Sequence, residues 1–358
     1  MSEGGLLSYF VPASLGGKGG DFRTFATIAA VLGEGCLSTA LIWAMHGQQT
    51  VVLADHAPSQ CQSLLASLGR EGFLISSVTS EYQKGGYLLS AESPLIKTDN
   101  SLRVQREAPI VSYGAHASYY LLTMRASENA ASQDVNIVVL PRDDGSSCVT
   151  GKWNAMGMRG TQSVPMTFDA VVNADCIIEE PFRHIALQTM IPAGHVGWVA
   201  CWMGAARGAF NRFVRHARHM SARGRIKLDS DLFITRLARL RVSLDLLDAL
   251  LYRVAERLDR MRAQGASLRE YEDIGHNILI NDLKVAGSDL AFSVIDGLIE
   301  LAGLSQGYMV DSDLGLERVF RDLRSAALMY NNDRLLQANG KLILVEHSRI
   351  STLWQEQR

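Results

Sequence analysis

Apolar residues recur at helical spacing near the start of the chain. Phe22, Phe25, Ile28, Ala29 and Leu32 mark one face, and a second apolar segment follows from Ser38, so residues 21–70 read as helical. The pattern then changes. Between residues 73 and 180 the apolar positions gather into short β-rich runs at 73–78, 87–90, 109–112, 119–125, 136–140 and 166–172, separated by Gly, Ser, Asn and Asp. This spacing predicts a small antiparallel sheet unit. From about residue 185 the helical period returns. Leu237, Leu240, Leu244, Leu247, Leu251 and Val254 mark one face of a long helix, and Leu283, Ala286, Leu290, Val294 and Leu298 mark another. The order predicts a mostly α-helical α+β protein: an N-terminal helical domain (1–72), a central antiparallel β-domain (73–182) and a C-terminal helical domain (183–358). No internal repeat or low-complexity tail is visible.

Two stretches, 35–54 and 184–206, contain no Asp, Glu, Lys or Arg over about a membrane's thickness. The first holds His46, Gln48 and Gln49, and the second Pro192, Gly194 and His195. Those groups are costly in lipid, so both stretches are expected as buried helices of a soluble protein. The N-terminus lacks the basic patch and apolar run of a signal peptide. Apolar residues make up 47% of the chain, enough for a sizeable core and too many for disorder. Lys plus Arg is 35 against 37 for Asp plus Glu, which removes a chain-wide footprint for nucleic acid. Cys36, Cys61, Cys148, Cys176 and Cys201 are dispersed with no CxxC pair. That disfavours a disulfide framework or a thiolate metal site and fits a reducing, cytoplasmic compartment.

Four segments are candidates for chemistry. Gly16-Gly17-Lys18-Gly19-Gly20 satisfies neither GxxxxGK[ST] nor a strand-borne GxGxxG, and reads as a turn before the first helix. Trp153-Asn154-Ala155-Met156-Gly157-Met158-Arg159-Gly160-Thr161-Gln162-Ser163 combines two permissive glycines, a fixed cation and hydroxyl donors, and by itself fits a strand-connecting loop. In residues 317–324, Arg318 and Asp322 lie four apart and on a helix can pair. Residues 212–227 carry Arg212, Arg215, Arg218, Arg223, Arg225 and Lys227 with His216 and His219. This cluster either attracts phosphates or forms a solvated helix face. It has no carboxylate to complete a metal pair and no aromatic interleaving for nucleic acid.

Taken together, these pieces resemble the acyl-CoA dehydrogenase superfamily of flavoproteins over nearly the whole chain. Phe10-Val11-Pro12 with the 15–20 loop is similar to the early "VP..yGG.G" segment. Thr79-Ser80-Glu81-Tyr82, with Gly85 and Gly86 after it, is a degraded "TEPxxGSD". Ile110–Ala115 is similar to the strand that carries a hydroxyl beside the flavin ring. Residues 153–163 resemble "W..lGmRgt.S", the most specific match. Ala302-Gly303-Leu304-Ser305-Gln306-Gly307-Tyr308 resembles "GGxGY" with one insertion, and Glu317-Arg318 with Arg321-Asp322 resembles "eR..RD".

The resemblance implies a helical N-domain, shortened here, a central β-domain and a C-terminal four-helix bundle. FAD is expected between the β-domain and the C-terminal helices of a homodimer or homotetramer. It implies that Ser80 and Glu81 lie by the flavin or its pyrophosphate. Ser112 is implied near the ring, and Gly114 and Trp153 among the cofactor-binding residues. Arg223 matches a contact to the neighbouring subunit's FAD, and Glu300 and Gly303 match the adenine-side segment. Glu300 departs from the family's Gln and places a carboxylate near an anionic cofactor.

Family dehydrogenation of an acyl thioester, on CoA or a carrier protein, needs a carboxylate base for the α-proton. The family places it in "YEGT". Here the segment reads Met329-Tyr330-Asn331-Asn332-Asp333, so Asn331 stands at the Glu position. His195 and Asp333 are the candidate substitutes. Three readings follow. The leading one is an FAD-dependent acyl thioester dehydrogenase with a non-standard base, served by an electron-transfer partner. The second is a two-component monooxygenase that receives reduced FMN or FAD from a reductase and needs no such base. The third is a catalytically degenerate subunit that keeps the fold.

Overall fold

A computed structural model describes residues 1, 3–58, 61–82, 87–98, 101–142, 145–224 and 228–345. Gly85, Gly86, Arg225 and Lys227, singled out above, lie outside the described residues. The ten α-helices of the described residues are α1 (Phe22–Gly35), α2 (Leu37–His56), α3 (Gln62–Glu71), α4 (Phe182–Ile185), α5 (Ile191–Ala222), α6 (Asp231–Ala263), α7 (Leu268–Tyr271), α8 (Ile274–Gly303), α9 (Leu316–Leu323) and α10 (Asn332–Val345). The eight strands are β1 (Ile75–Val78), β2 (Leu95–Lys97), β3 (Leu102–Val111), β4 (Tyr119–Arg125), β5 (Val135–Pro141), β6 (Ser147–Val149), β7 (Val164–Val172) and β8 (Ile177–Ile178). They pack as two compact units. One comprises Met1–Asp21, Ile42–Asn154 and Arg159–Gly194. The other comprises Phe22–Leu41, Ala155–Met158 and His195–Arg358.

The first unit contains two four-stranded sheets, β1-β4-β5-β8 and β2-β3-β7-β6. Neighbouring strands are antiparallel except β1 and β4, which run parallel with Ile75 opposite Tyr119. In β3, buried Val104, Arg106 and Ala108 alternate with exposed Arg103, Gln105 and Glu107, the period of a strand with one face inward. The β3–β7 register slips between Ala108 and Val111, where Pro109 has no N–H to give the ladder. The run at 87–90, expected as a strand, is a turn. β2, β6 and the first part of β3 were not expected from the sequence, because their apolar residues are too few or alternate with charge.

The 35–54 stretch forms most of α2, and its polar groups have internal partners. Trp43 Nε1 donates to Leu6 O at 2.8 Å, His46 Nε2 to Leu7 O at 2.7 Å and Gln48 Nε2 to Met190 O at 2.6 Å. Among the described residues, no helix is long and apolar enough to cross a membrane.

The second unit is helical. Phe22 and Arg23 open α1, and their backbone N–H groups donate to the Asp259 carboxylate of α6 at 2.6 and 3.0 Å. An acid from another helix thus satisfies the orphan donors of a helix start. Close α1–α5 packing requires small residues, since a Cβ on Gly204 would lie 2.0 Å from Ala30 O. The inward face of α6 carries Leu244, Leu247, Leu251, Val254 and Leu258. Leu283, Val294 and Leu298 line the buried face of α8.

Candidate functional site

In the β unit, β3 ends at Val111, and the next two residues turn the chain sharply. Tyr113 adopts φ 46°, a left-handed conformation that is strained for a bulky side chain. Two bonds fix it: its N–H donates to Thr161 O at 2.8 Å and its hydroxyl to Ile75 O at 2.9 Å. The turn leaves Ser112 in a row of hydroxyls, with Ser112 Oγ 3.0 Å from Ser163 Oγ and Ser163 Oγ 2.8 Å from Thr161 Oγ1. Gly114 is buried, and a Cβ there would meet Met166 Sδ at 2.4 Å. Trp153 is half-buried and packs on the core that includes Val111 and Met166. The row therefore sits on a rigid base.

Ser80 and Glu81 are tied to the same unit. Ser80 Oγ donates to Ile110 O at 2.8 Å. The Glu81 carboxylate accepts the N–H groups of Glu92 and Ser93 at 3.0 and 2.9 Å and lies 3.7 Å from Arg106 Nη1. Burial pushes the Glu81 carboxyl up, but Arg106 and the two N–H groups outweigh it, and the net shift is downward. Arg106 is buried, donates from Nη1 to Thr123 O and from Nη2 to Ser80 O, and is brought down by burial to about 10. Sequence reading missed Arg106, whose signal is a charged residue at an inward position of the β3 alternation. An open cleft of about 590 Å³ has Arg106 and the carboxylates Glu81, Glu92, Glu107 and Asp169 on its walls.

In the helical unit, His195, Tyr330, Asn331, Asn332 and Lys284 come together. His195 is buried, and its Nδ1–H donates to Ile280 O at 3.0 Å. Its ring lies 5.8 Å from those of Trp198 and Tyr330. Burial lowers the imidazole to about 4, helped by the Lys284 charge and opposed by the Ile280 bond, so it is neutral at pH 7. Tyr330 has φ 51°. Asn331 is exposed, and its Oδ1 accepts the Asp333 N–H at 2.8 Å, capping α10. Asp333 is exposed in the first turn of α10, where a carboxylate suits the helix dipole.

Asn332, next to the position singled out in the sequence, points inward. Its Oδ1 accepts from Lys284 Nζ at 2.7 Å and its Nδ2 donates to Asp289 Oδ1 at 2.9 Å. Lys284 is wholly buried, lies 5.7 Å from the Trp202 ring centre, and is lowered by burial to about 8. The sequence reading missed both residues; their signal was a lone lysine beside the apolar stripe of α8.

The remaining positions lie elsewhere. Arg223 is exposed just beyond α5. Glu300, also exposed, pairs loosely with Arg236 at 3.8 Å. Gly303 ends α8 with φ 69°. In the basic segment Arg212 is structural, donating to Leu314 O and Glu34 O, whereas Arg215, Arg218 and His219 form an exposed face. The i,i+4 ion pair of α9 is Arg321 with Glu317 at 2.7 Å, not Arg318 with Asp322. Asp322 instead accepts a backbone N–H from Met158. Among the described residues no group of three or more His, Cys, Asp or Glu could hold a metal ion.

Comparison with known proteins agrees with this architecture. Residues 185–330 match the family described as acyl-CoA dehydrogenase, C-terminal domain. Cyclohex-1-ene-1-carbonyl-CoA dehydrogenase of Syntrophus aciditrophicus (strain SB) is 24% identical over 62% of this chain and 54% of its own, so the match spans about half of that relative. Dibenzothiophene monooxygenase of Mycolicibacterium goodii is 23% identical over 92% of this chain and 82% of its own. The structure of FMN-bound TdsC from Paenibacillus sp. A11-2 superposes with a TM-score of 0.84 at 19% identity, covering 96% of this chain and 88% of that one. The chain thus has the acyl-CoA dehydrogenase fold, and its residues 185–330 match that family's C-terminal domain.

Proposed function

We propose that this chain is a flavin-dependent oxidoreductase that oxygenates its substrate with reduced flavin supplied by a reductase. One observation carries the choice of reaction: the base position of the 330–333 turn is an amide, Asn331, and the one carboxylate there, Asp333, is exposed in the first turn of α10. Asn331 caps α10, and Asn332 is gripped by Lys284 and Asp289. His195 is lowered to about 4, which makes it a weak base for an α-proton. A reaction that needs no such base fits these groups best.

The hydroxyls of Ser112, Thr161 and Ser163 suit the polar edge of an isoalloxazine, each able to donate or accept. Bound flavin supplies the two-electron redox chemistry and the reaction with oxygen. The chain's own hydroxyls orient it, with Ser112 offering a hydrogen bond. FMN-bound TdsC has a similar fold, which supports flavin as the cofactor class. Assembly into homodimers or homotetramers belongs to the same reading.

The test is direct. The purified protein is loaded with FAD or FMN and mixed anaerobically with acyl thioesters, then separately supplied with NADH, a reductase and oxygen. Oxygen-dependent product in the second assay, with no flavin bleaching in the first, is expected. Rapid anaerobic bleaching overturns the proposal in favour of dehydrogenation. That second reading is favoured by Asp333, a carboxylate two residues beyond Asn331.

A further inference from the structure

A lysine with no exposed surface calls for an explanation, because burying an ammonium carries a large desolvation cost before any partner is counted. A methionine would fill the same space in α8 without that cost. Lys284 spends its charge on one amide. Its Nζ donates to Asn332 Oδ1 at 2.7 Å, while the other end of that amide donates to Asp289 Oδ1 and to Ser288 Oγ, both at 2.9 Å. A cation at the oxygen and a carboxylate at the nitrogen permit only one amide orientation, and both bonds are charge-assisted. Three side chains of α8 thus clamp the first residue of α10.

The clamp lies two residues after a strained one. Tyr330 has φ 51°, a left-handed conformation that is strained for a tyrosine and persists only where the surroundings over-determine it. The Asn332 N–H, donating to Ala327 O at 3.2 Å, closes the turn around Tyr330, and the phenol ring lies tilted against His195 with centroids 5.8 Å apart.

We infer that Lys284 is a positioning residue: acting through Asn332, it holds the Tyr330–Asn331 turn in the arrangement used in turnover. The inference rests on the proposed function only in taking that turn as part of the reaction site. Among the described residues, the charged and titratable groups that interact with the ammonium are Asp289 on α8 and His195 on α5. His195 is neutral, so Asp289 is the one carboxylate that favours the charged amine.

The experiment uses the full chain as purified, as Lys284→Met, Lys284→Gln and Lys284→Arg. The first readout needs no activity: hydrogen exchange at residues 329–333. In Lys284→Met we expect about tenfold faster exchange confined to that turn, with Lys284→Arg restoring protection. If Lys284→Met does not fold, Lys284→Gln, which keeps a donor but no charge, takes its place. The second readout is kinetic. In the uncharged variants kcat should fall about tenfold with KM changed less than twofold. Wild-type kcat should decline as pH rises through about 8, and Lys284→Arg should lack that decline. Unchanged exchange at 329–333 overturns the inference, as does acceleration spread evenly over α8 and α10. Wild-type kcat in the uncharged variants also overturns it. If the flavin assays show no turnover at all, the function proposal fails while the exchange experiment still decides on Lys284.

Discussion

Asp322 Oδ1 accepts the backbone N–H of Met158 at 2.5 Å, so a carboxylate on α9 holds a loop more than 160 residues earlier in the chain. Arg321, its neighbour, donates from Nη1 to Met156 O at 3.0 Å. Gly157, between the two held residues, lies so close to α9 that a Cβ would stand 2.0 Å from Arg321 O. Gly157→Ala should therefore be severely destabilising or insoluble, since backbone cannot step aside as a flexible side chain can. Asp322→Ala removes the acceptor of the Met158 N–H and should cost about 1–3 kcal/mol, while Asp322→Asn, which keeps an acceptor, should cost less. Thermal unfolding of the three variants checks the order. Equal stability of Asp322→Ala and wild type contradicts it.

This relationship shows what the sequence could and could not disclose. The segments around Gly157 and Asp322 stood out because each needs particular residue types, a glycine without Cβ and a carboxylate acceptor. Their pairing did not, because it is a tertiary contact with no local period. Arg318 and Asp322 looked like an ion pair by spacing alone, yet tertiary demand claimed Asp322. The helical zones were legible from their 3.6-residue apolar stripes. Strand β3 was read only at its end, because Arg103, Arg106 and Glu107 mask a regular in–out alternation. Asn332 and Lys284 were passed over because an amide and a lysine carry no signature until burial is known.

Glu81 and Arg106 form a buried pair whose loss should be asymmetric. Arg106→Met removes the cation and leaves a buried carboxylate, for which about 3–5 kcal/mol of destabilisation is expected. Combining it with Glu81→Gln should recover part of that loss. Denaturant unfolding of both singles and the double gives the coupling energy. If Glu81 instead serves mainly a cofactor, Glu81→Gln should weaken flavin binding while leaving stability unchanged. The bonds to Glu92 and Ser93 lead us to expect the reverse.

His46 should make the fold sensitive to acid. Its Nδ1 accepts the Ile75 N–H at 3.0 Å and its Nε2–H donates to Leu7 O, a pairing available only to the neutral ring. Burial, opposed by the Leu7 bond, lowers it from 6.5 to about 4. Between those values the unfolded chain binds the proton and the folded chain does not. The contribution is thus fully present above pH 6.5 and is lost as pH falls toward 4, at most about 3 kcal/mol. His195 and His276 are lowered in the same direction, so the difference between wild type and His46→Leu isolates His46. The variant should be less stable at pH 7, and the gap should narrow toward pH 4. A gap independent of pH would contradict this assignment.

Asn331 offers the sharpest test of why proton abstraction is disfavoured. The residue is exposed, so a longer side chain needs no repacking. Its present role is to cap α10 through the Asp333 N–H, and losing that acceptor should cost about 1 kcal/mol. Asn331→Glu should thus fold, while placing a carboxylate on the turn beside Tyr330. In deuterated buffer without oxygen, the flavin-loaded variant should exchange the α-hydrogens of an acyl thioester at least about tenfold faster than wild type, because a positioned base contributes 100-fold or more when well aligned. Mass spectrometry of the recovered thioester measures this. Fast exchange already present in wild type would mean that another base, with Asp333 first in line, performs the step, and the oxygenation reading would give way to dehydrogenation.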